Sequence, residues 1–469
     1  MFVGRANELR SIKTIINADR PTIGVVYGRR RIGKSKLIME AFEGQRALIF
    51  EGLENRPKKE QISNFLFQLF YQTRRDMQAP QAKTWREAFI FLYEELKENP
   101  AHVVLDEFQW MANYRHEIVS ELKQVWDLYL SRIKGITLVL CGSIASFMVK
   151  KVVRSSALYG RTDLEIHLKG FKLTEAKTML SEKGSREVIE AMMLIGGVPK
   201  YLELIKEQPS VRLGINSLAF TDTGYLTKEY ERIFLSHFGK NPDFEKIITL
   251  LAKNPYGLYR QQISEQAKTD LGGGLSRHLW DLEMAGFISS ATPFHKKPNS
   301  RLIKYHLSDP YLRFYYAFIQ PNLKKIKSGV HKEIFSKISQ SGAFSAWMGR
   351  AFEYLCMDHA ARITEILGFS GIDFSFGPYF RAPKKSAPGV QIDLLFNRSD
   401  HVITLCEMKY SLNSIGTDII AHVQRKADLM QKQYPKRTVQ KVLITRSDPT
   451  KELAHSGFFY KVIRPEEFF

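Results

Sequence analysis

Thr22-Ile23-Gly24-Val25-Val26-Tyr27 runs into Gly28-Arg29-Arg30-Arg31-Ile32-Gly33-Lys34-Ser35 and then into Lys36-Leu37-Ile38-Met39. A short apolar run, a loop bracketed by glycines and a restart of helical character predict strand, loop and helix in that order. The middle piece fits G-x-x-x-x-G-K-[ST]. Glycines let main-chain N–H groups wrap phosphate oxygens, and the following helix N-terminus adds positive potential. Gly28, Arg29, Arg30, Arg31, Ile32, Gly33, Lys34, Ser35 and Lys36 are therefore expected to cradle a nucleoside triphosphate. Lys34 is expected on the β- and γ-phosphates, and the Ser35 hydroxyl on Mg²⁺.

Working outward, Arg46–Phe50, His102–Leu105 and Ile136–Cys141 read as further buried strands, with helix-like stretches at Gln61–Arg74 and His116–Ile133 between them. That alternation predicts a parallel sheet with helices on both faces. The run ending at Leu105 is followed by Asp106 and Glu107. Carboxylates at a strand C-terminus lie where α/β sheets bind ligands. Asp106 is expected to hold Mg²⁺ through water and Glu107 to polarise the attacking water.

The 469 residues are enough for about three domains. A charged fraction of 25% and a hydrophobic fraction of 44% argue against long disorder and a membrane-embedded chain. No apolar run approaches the ~20 residues of a spanning helix, and the opening Met1-Phe2-Val3-Gly4-Arg5 lacks a signal-peptide layout. Cys141, Cys356 and Cys406 are far apart, with no metal-ligand spacing and no disulfide framework, which suits a reducing, cytoplasmic setting. The formal charge of +20 favours a polyanionic partner, above all DNA.

Several pieces of residues 1 to about 230 resemble the archaeal-type ATPase family, within the AAA+ and STAND group. Phe2-Val3-Gly4-Arg5 with Glu8-Leu9 resembles its opening motif beside the adenine. Leu140-Cys141-Gly142-Ser143 resembles its sensor strand, which implies Ser143 near the γ-phosphate. Serine stands there in place of the asparagine of many AAA+ proteins. Leu158-Tyr159-Gly160-Arg161 matches a further motif, with Arg161 implied either as a charge-stabilising arginine, in cis or across a subunit contact, or as a surface ion pair. Gly196–Leu202 resembles the helical-lid signature. The resemblance also implies self-assembly into a homo-oligomer.

From Phe244 to Phe318 the pattern changes: helices at Phe244–Ala252, Tyr259–Ala267 and Gly274–Ala285 precede strands at Phe287–Ser290 and Leu302–Leu307. Three helices and a hairpin describe a winged helix, with the third helix as the recognition helix. Leu275, Leu279 and Leu282 form its core face. Arg277 and His278 are candidates for nucleic-acid contact, and Lys296, Lys297 and Arg301 for a basic wing on phosphate. The alternative is a packing or signalling module, since Asp281 and Glu283 repel phosphate. The aromatic run Tyr311–Phe318 has helical spacing and reads as a buried helix.

Near the C-terminus, Val390–Phe396 reads as a strand, Asn397–His401 as a turn and Val402–Tyr410 as the return strand. Symmetric closure sets Asp393 opposite Leu405, with Glu407 diagonal and Lys409 on the same face. Two carboxylates and a lysine converging in this way can hold Mg²⁺ and position water for phosphodiester attack. An aspartate followed by Glu-x-Lys resembles the PD-(D/E)xK nuclease superfamily, and more narrowly the DUF234-type domain often joined to archaeal-type ATPases. The resemblance implies Glu353 as a first-helix metal ligand beside Asp393 and Glu407, and Gln424 in the same cleft. Ile392 stands where the motif has proline.

The expected fold class is α/β: a P-loop NTPase parallel sheet with a helical lid, then a winged helix, then an α/β restriction-endonuclease-like domain. The expected bounds are 1–170 for the core, 171–235 for the lid, 236–322 for the winged helix, 323–342 for a connector and 343–469 for the last domain. The expected cofactors are ATP and Mg²⁺. The expected activity is ATP hydrolysis controlling a Mg²⁺-dependent DNA nuclease. The alternative is a nucleotide-switched regulator or defence-type sensor that does not cleave.

Overall fold

The structure is a computed structural model of the chain and describes residues 2–73, 81–239, 241–268, 273–292, 294, 303–330, 333–381 and 389–469. Five strands, β1 (Thr22–Tyr27), β2 (Ala47–Glu51), β3 (His102–Asp106), β4 (Thr137–Gly142) and β5 (Leu164–His167), make one parallel sheet in the order β2-β3-β4-β1-β5. Every residue of β1 and β4 is buried, as a central parallel strand covered on both faces requires. The edge strand β5 is the one the sequence reading missed. Its alternating Leu164-Glu165-Ile166-His167 buries only Ile166 fully, so it lacks the continuous apolar run of the others.

Helices α1 (Ala6–Ile16), α2 (Lys34–Ala41), α3 (Lys58–Thr73), α4 (Trp85–Glu98) and α5 (Glu117–Leu128) belong to the same unit. Thr84 Oγ1 caps α4 by accepting from the Glu87 amide. The aromatic core under α3 and α4 stacks Phe50 on Phe65 at 4.3 Å and sets Trp85 and Phe89 edge-on to Phe65. Removing one of these rings, as in Phe65→Ala, costs about 3–5 kcal/mol. Gly24 lets α1 approach the sheet: a Cβ there would meet Ile15 Cδ1 at 2.8 Å.

The chain divides into two units, one of Met1–Phe171, Val198–Lys200 and Arg277–Gly286, the other of Lys172–Gly197, Tyr201–Ser276 and Phe287–Phe469. The second begins with the helices expected for the lid region. It then carries α6 (Pro242–Lys253), α7 (Arg260–Ala267) and an antiparallel sheet, β6 (Leu258–Tyr259), β7 (Ile288–Ala291) and β8 (Lys304–Leu307), in the order β6-β8-β7. The helix α8 (Gly273–Met284) lies between α7 and β7 in the chain, and its residues from Arg277 onward group with the first unit. Leu275, Leu279 and Leu282 are buried. Lys296, Lys297 and Arg301 lie outside the described residues. Tyr311, Phe314, Tyr315 and Phe318 are buried, with the Tyr315 ring stacked 4.4 Å from Tyr230.

The last sheet contains β9 (Phe374–Arg381), β10 (Val390–Arg398), β11 (Val402–Lys409), β12 (Thr438–Thr445) and β13 (Lys461–Ile463), in the order β13-β12-β11-β10-β9. β9, β10 and β11 are antiparallel, whereas β11, β12 and β13 are parallel, so the sheet is mixed. The hairpin register departs from the sequence expectation by two residues. Leu395 pairs with Leu405 and Asn397 with Ile403, so β10 continues to Arg398. The cause is local: Arg398 is not solvated turn but lies 4.3 Å over the Phe369 ring and ion-pairs with Asp400. The connection shrinks to Ser399–His401, closed by His401 at φ 65°.

Candidate functional sites

Gly33 takes φ 92° as the N-cap of α2, a conformation that favours glycine. Gly28 has no room for a side chain, because a Cβ would lie 2.3 Å from the Leu168 carbonyl oxygen. The loop between them folds back on Lys34, whose Nζ donates to the Gly28 carbonyl at 3.0 Å and the Arg29 carbonyl at 3.2 Å. Lys34 is only 6% exposed, so its ammonium belongs to the loop interior. Arg5 braces the outside. Its buried guanidinium donates to the Ile32 and Lys169 carbonyls and lies 4.6 Å over Phe171. Arg30 reaches Glu54 at 2.9 Å and lies over Trp110, while Arg31 takes φ 70° within the loop. Lys36 sits in the first turn of α2.

Ser35 Oγ donates to Asp106 Oδ2 at 2.8 Å, joining loop and strand end as expected. Glu107 adopts φ 49°, a left-handed conformation that stores strain in a non-glycine residue. Its Oε2 accepts from Ser143 Oγ at 2.6 Å and from Gln109 Nε2. Gln109 also donates to Ser143 Oγ at 3.0 Å and accepts from the Ser143 amide at 3.2 Å. Sequence reasoning missed this fully buried amide, although a lone glutamine among Phe108, Trp110 and Met111 is the signal. It also missed Glu51, which pairs in register with Asp106. Burial raises the Glu51 pKa, and the charges of Asp106 and Glu107 raise it further. A hydroxyl and hard carboxylate oxygens at a helix N-terminus fit Mg²⁺. Ser35 and Asp106 would hold the ion, which would supply charge neutralisation for a bound triphosphate.

Arg161 forms a bidentate ion pair with Asp127, Nε to Oδ1 at 2.7 Å and Nη2 to Oδ2 at 2.9 Å. The Arg161 hydrogen bonds hold the Asp127 carboxyl below its ordinary range. Arg277 is exposed and lies 3.9 Å from Asp281 on its own helix; His278 is half-buried.

A second cluster forms where β10 and β11 face α9 (Gly342–Asp358) and α10 (Ile419–Gln433). Ser341 Oγ caps α9 by accepting from the Phe344 amide. Continuing the observed register by one residue sets Asp393 directly across from Glu407, closer than the diagonal expected. Asp393 Oδ2 accepts from the Met408 amide at 2.9 Å. Glu407 is fully buried between two ammonium groups: Lys409 Nζ is 2.8 Å from Oε1 and Lys426 Nζ 2.6 Å from Oε2.

Lys426 was not foreseen. On α10 it follows the buried Ile419, Val423 and Ala427 face, where a lysine needs a partner. Gln424 points elsewhere, bonding Asp428 and Lys441 instead of entering the cleft. Burial, then the charge of Glu407, pushes Asp393 up to about 6. Burial, then the charge of Asp393, pushes Glu353 up to about 7. Burial also acts to raise Glu407, but Lys426 and Lys409 outweigh it and hold the carboxyl below its ordinary value. The charge of Asp393 acts on Glu353, so the two carboxyls lie within electrostatic reach of each other. Glu407 already has its cations. Among the described residues no group of three or more His, Cys, Asp or Glu is arranged to hold a metal ion.

Residues 2–205 match a family described as an ATPase domain predominantly from Archaea. Residues 315–419 match a second, described as Archaea bacterial proteins of unknown function. The chain joins an archaeal-type ATPase domain to a DUF234-type region. An uncharacterized protein of Methanocaldococcus jannaschii is 26% identical over 427 residues, covering 87% of this chain and 88% of that protein. The Walker-type ATPase of Pyrococcus abyssi shares the fold at TM-score 0.50 and 18% identity, over 67% of this chain and 96% of that one. The ORC2 protein of Aeropyrum pernix, solved as ADPNP-ADP complexes, matches at TM-score 0.41 and 17% identity, over 72% and 95%. Among the described residues no helix is long and apolar enough to cross a membrane.

Proposed function

We propose that this protein hydrolyses ATP and acts on DNA, its C-terminal domain being a Mg²⁺-dependent nuclease controlled by the ATPase domain. At the first site, Lys34 and the loop amides hold the triphosphate, Ser35 and Asp106 hold Mg²⁺, and Glu107, aimed by Gln109 and Ser143, orients water. Arg161 supplies charge stabilisation once released from Asp127. At the second site, Asp393, Glu353 and Glu407 would hold the metal after moving together from the present arrangement, and Lys409 would stabilise the attacked phosphate. The observation that carries the nuclease reading is the convergence of Asp393, Glu407 and Lys409 on one sheet face, with Glu353 close enough for its pKa to respond to Asp393. The net charge of +20 supports affinity for a polyanion, with Arg277, His278, Lys296, Lys297 and Arg301 as the winged-helix contacts.

A second reading, a nucleotide-switched regulator that does not cleave, is favoured by Lys426. Its ammonium occupies the Glu407 oxygen that a metal needs. Plasmid incubated with Mg²⁺, with and without ATP, separates the two. Cleavage lost in Asp393→Ala supports the nuclease. ATP turnover with no scission under any condition supports the regulator.

A further inference from the structure

Within the second unit lies a cavity of about 350 Å³, lined in part by Lys253, Arg313, Tyr316, Trp347, Arg350 and Tyr354. None of these belongs to either site above. The volume is at the lower end of small-molecule pockets.

Arg313 draws attention first. Its guanidinium lies 3.9 Å over the Tyr354 ring, and Nε and Nη1 are buried with no hydrogen-bond acceptor. Burial lowers its pKa below the ordinary arginine value, although Tyr354, Asp358 and Asp309 oppose that, Tyr354 through a hydrogen bond as well. Arg350 and Lys253 bring two more cations to the same space.

The aromatic walls are fixed. Tyr354 Oη donates to the Pro255 carbonyl at 2.7 Å, and Tyr316 Oη bonds Tyr230 at 2.6 Å and Thr249 at 2.9 Å. Trp347, Arg350 and Tyr354 recur at helical spacing on α9, so one face of that helix forms a wall.

The lining holds these three cations and no carboxylate, and Asp358 and Asp309 act on Arg313 from outside it. A phosphate monoester carries nearly two negative charges and three acceptor oxygens, which suits arginine forks. A planar base stacks on aromatic or guanidinium surfaces. We infer that this cavity binds a nucleoside monophosphate group, its phosphate on Arg313 and Arg350 and its base against the aromatic wall. Two sources share that chemistry, a free mononucleotide and the 5′-phosphorylated end of a strand. The site is independent of the nuclease reading.

The test uses the full chain carrying Lys34→Ala, which weakens nucleotide retention at the phosphate loop. It is titrated calorimetrically with 5′-AMP, 5′-GMP, 5′-CMP and 5′-UMP, each alone, and with one short oligonucleotide with and without its 5′-phosphate. At least one phosphorylated probe should bind at one site, and adding Arg350→Gln or Arg313→Gln should weaken it about tenfold. A response to mononucleotides assigns the free ligand, and one confined to the phosphorylated oligonucleotide assigns the strand end; both uphold the site. If no phosphorylated probe binds, or if both variants melt like the parent and bind within about twofold of it, the inference is overturned. Should Arg313→Gln fail to fold, Arg350→Gln decides alone.

Discussion

Asp106 and Glu107 end a parallel strand and are held by neutral donors: the Ser35 hydroxyl, a main-chain amide, the Ser143 hydroxyl and the Gln109 amide. Asp393 and Glu407 lie on a mixed sheet, and Glu407 is held by two ammonium groups. Neutral donors aim a carboxylate and leave its charge available to a cation. Ammonium groups cancel that charge, so a metal has to displace them or bind beside them. A cation at the phosphate-loop carboxylates would meet charge that no ammonium cancels, whereas one at Glu407 would have to displace an ammonium or bind beside it.

The largest expected effect lies on the first side of this contrast. Lys34→Ala should reduce ATP hydrolysis by about a hundredfold or more, because preorganised charge on phosphate is lost; a phosphate-release assay reads it. Turnover near the parent rate would break the comparison at its first term.

Next is Lys426→Met. It leaves Glu407 buried with one partner, and loss of a buried partner costs about 3–5 kcal/mol. Thermal melting should show a drop that Lys426→Met with Glu407→Gln largely restores. A single variant that melts like the parent would show that the ammonium does not hold the carboxylate in place.

A pH series tests the unpaired carboxyls. Glu353 at about 7 and Asp393 at about 6 keep protons in the folded state that the unfolded chain, near 4, has released. Their contribution is full below about pH 4 and is lost as pH rises through 6 and 7. Stability of the C-terminal domain should therefore fall between about pH 4 and about 7, and Glu353→Gln should flatten the fall. Mg²⁺ should raise the melting temperature at about pH 8, where both groups are ionised, and leave it unchanged near pH 5.

The smallest effect is expected at Arg161. The partly exposed bidentate pair with Asp127 contributes about 1 kcal/mol or less. Arg161→Ala should melt close to the parent. A hydrolysis rate reduced at least tenfold at unchanged melting temperature would assign it to the reaction; an unchanged rate would leave it an ion pair.

Much of this was legible from residue order. The segment from Thr22 to Met39 specifies strand, tight loop and helix locally, through an apolar run, two glycines and a lysine, and the structure follows it. Asp106 was readable because it ends an apolar strand. The pattern Asp393, Glu407 and Lys409 was readable through the two-residue period of a strand. The hairpin register was not, because Arg398 looked like turn until Phe369 gave it a surface to lie on.

The sequence by itself determined the strands with strong apolar runs, β1 to β4, β10 and β11, and which carboxylates would end or line them, since those depend on near neighbours. Only the tertiary structure decided which partners hold those carboxylates. Gln109 reaches Ser143 across 34 positions, Lys426 reaches Glu407 across 19, and Arg313 reaches Tyr354 from another helix. Burial and electrostatics depend on distance in space, and no local pattern encodes which distant side chain arrives.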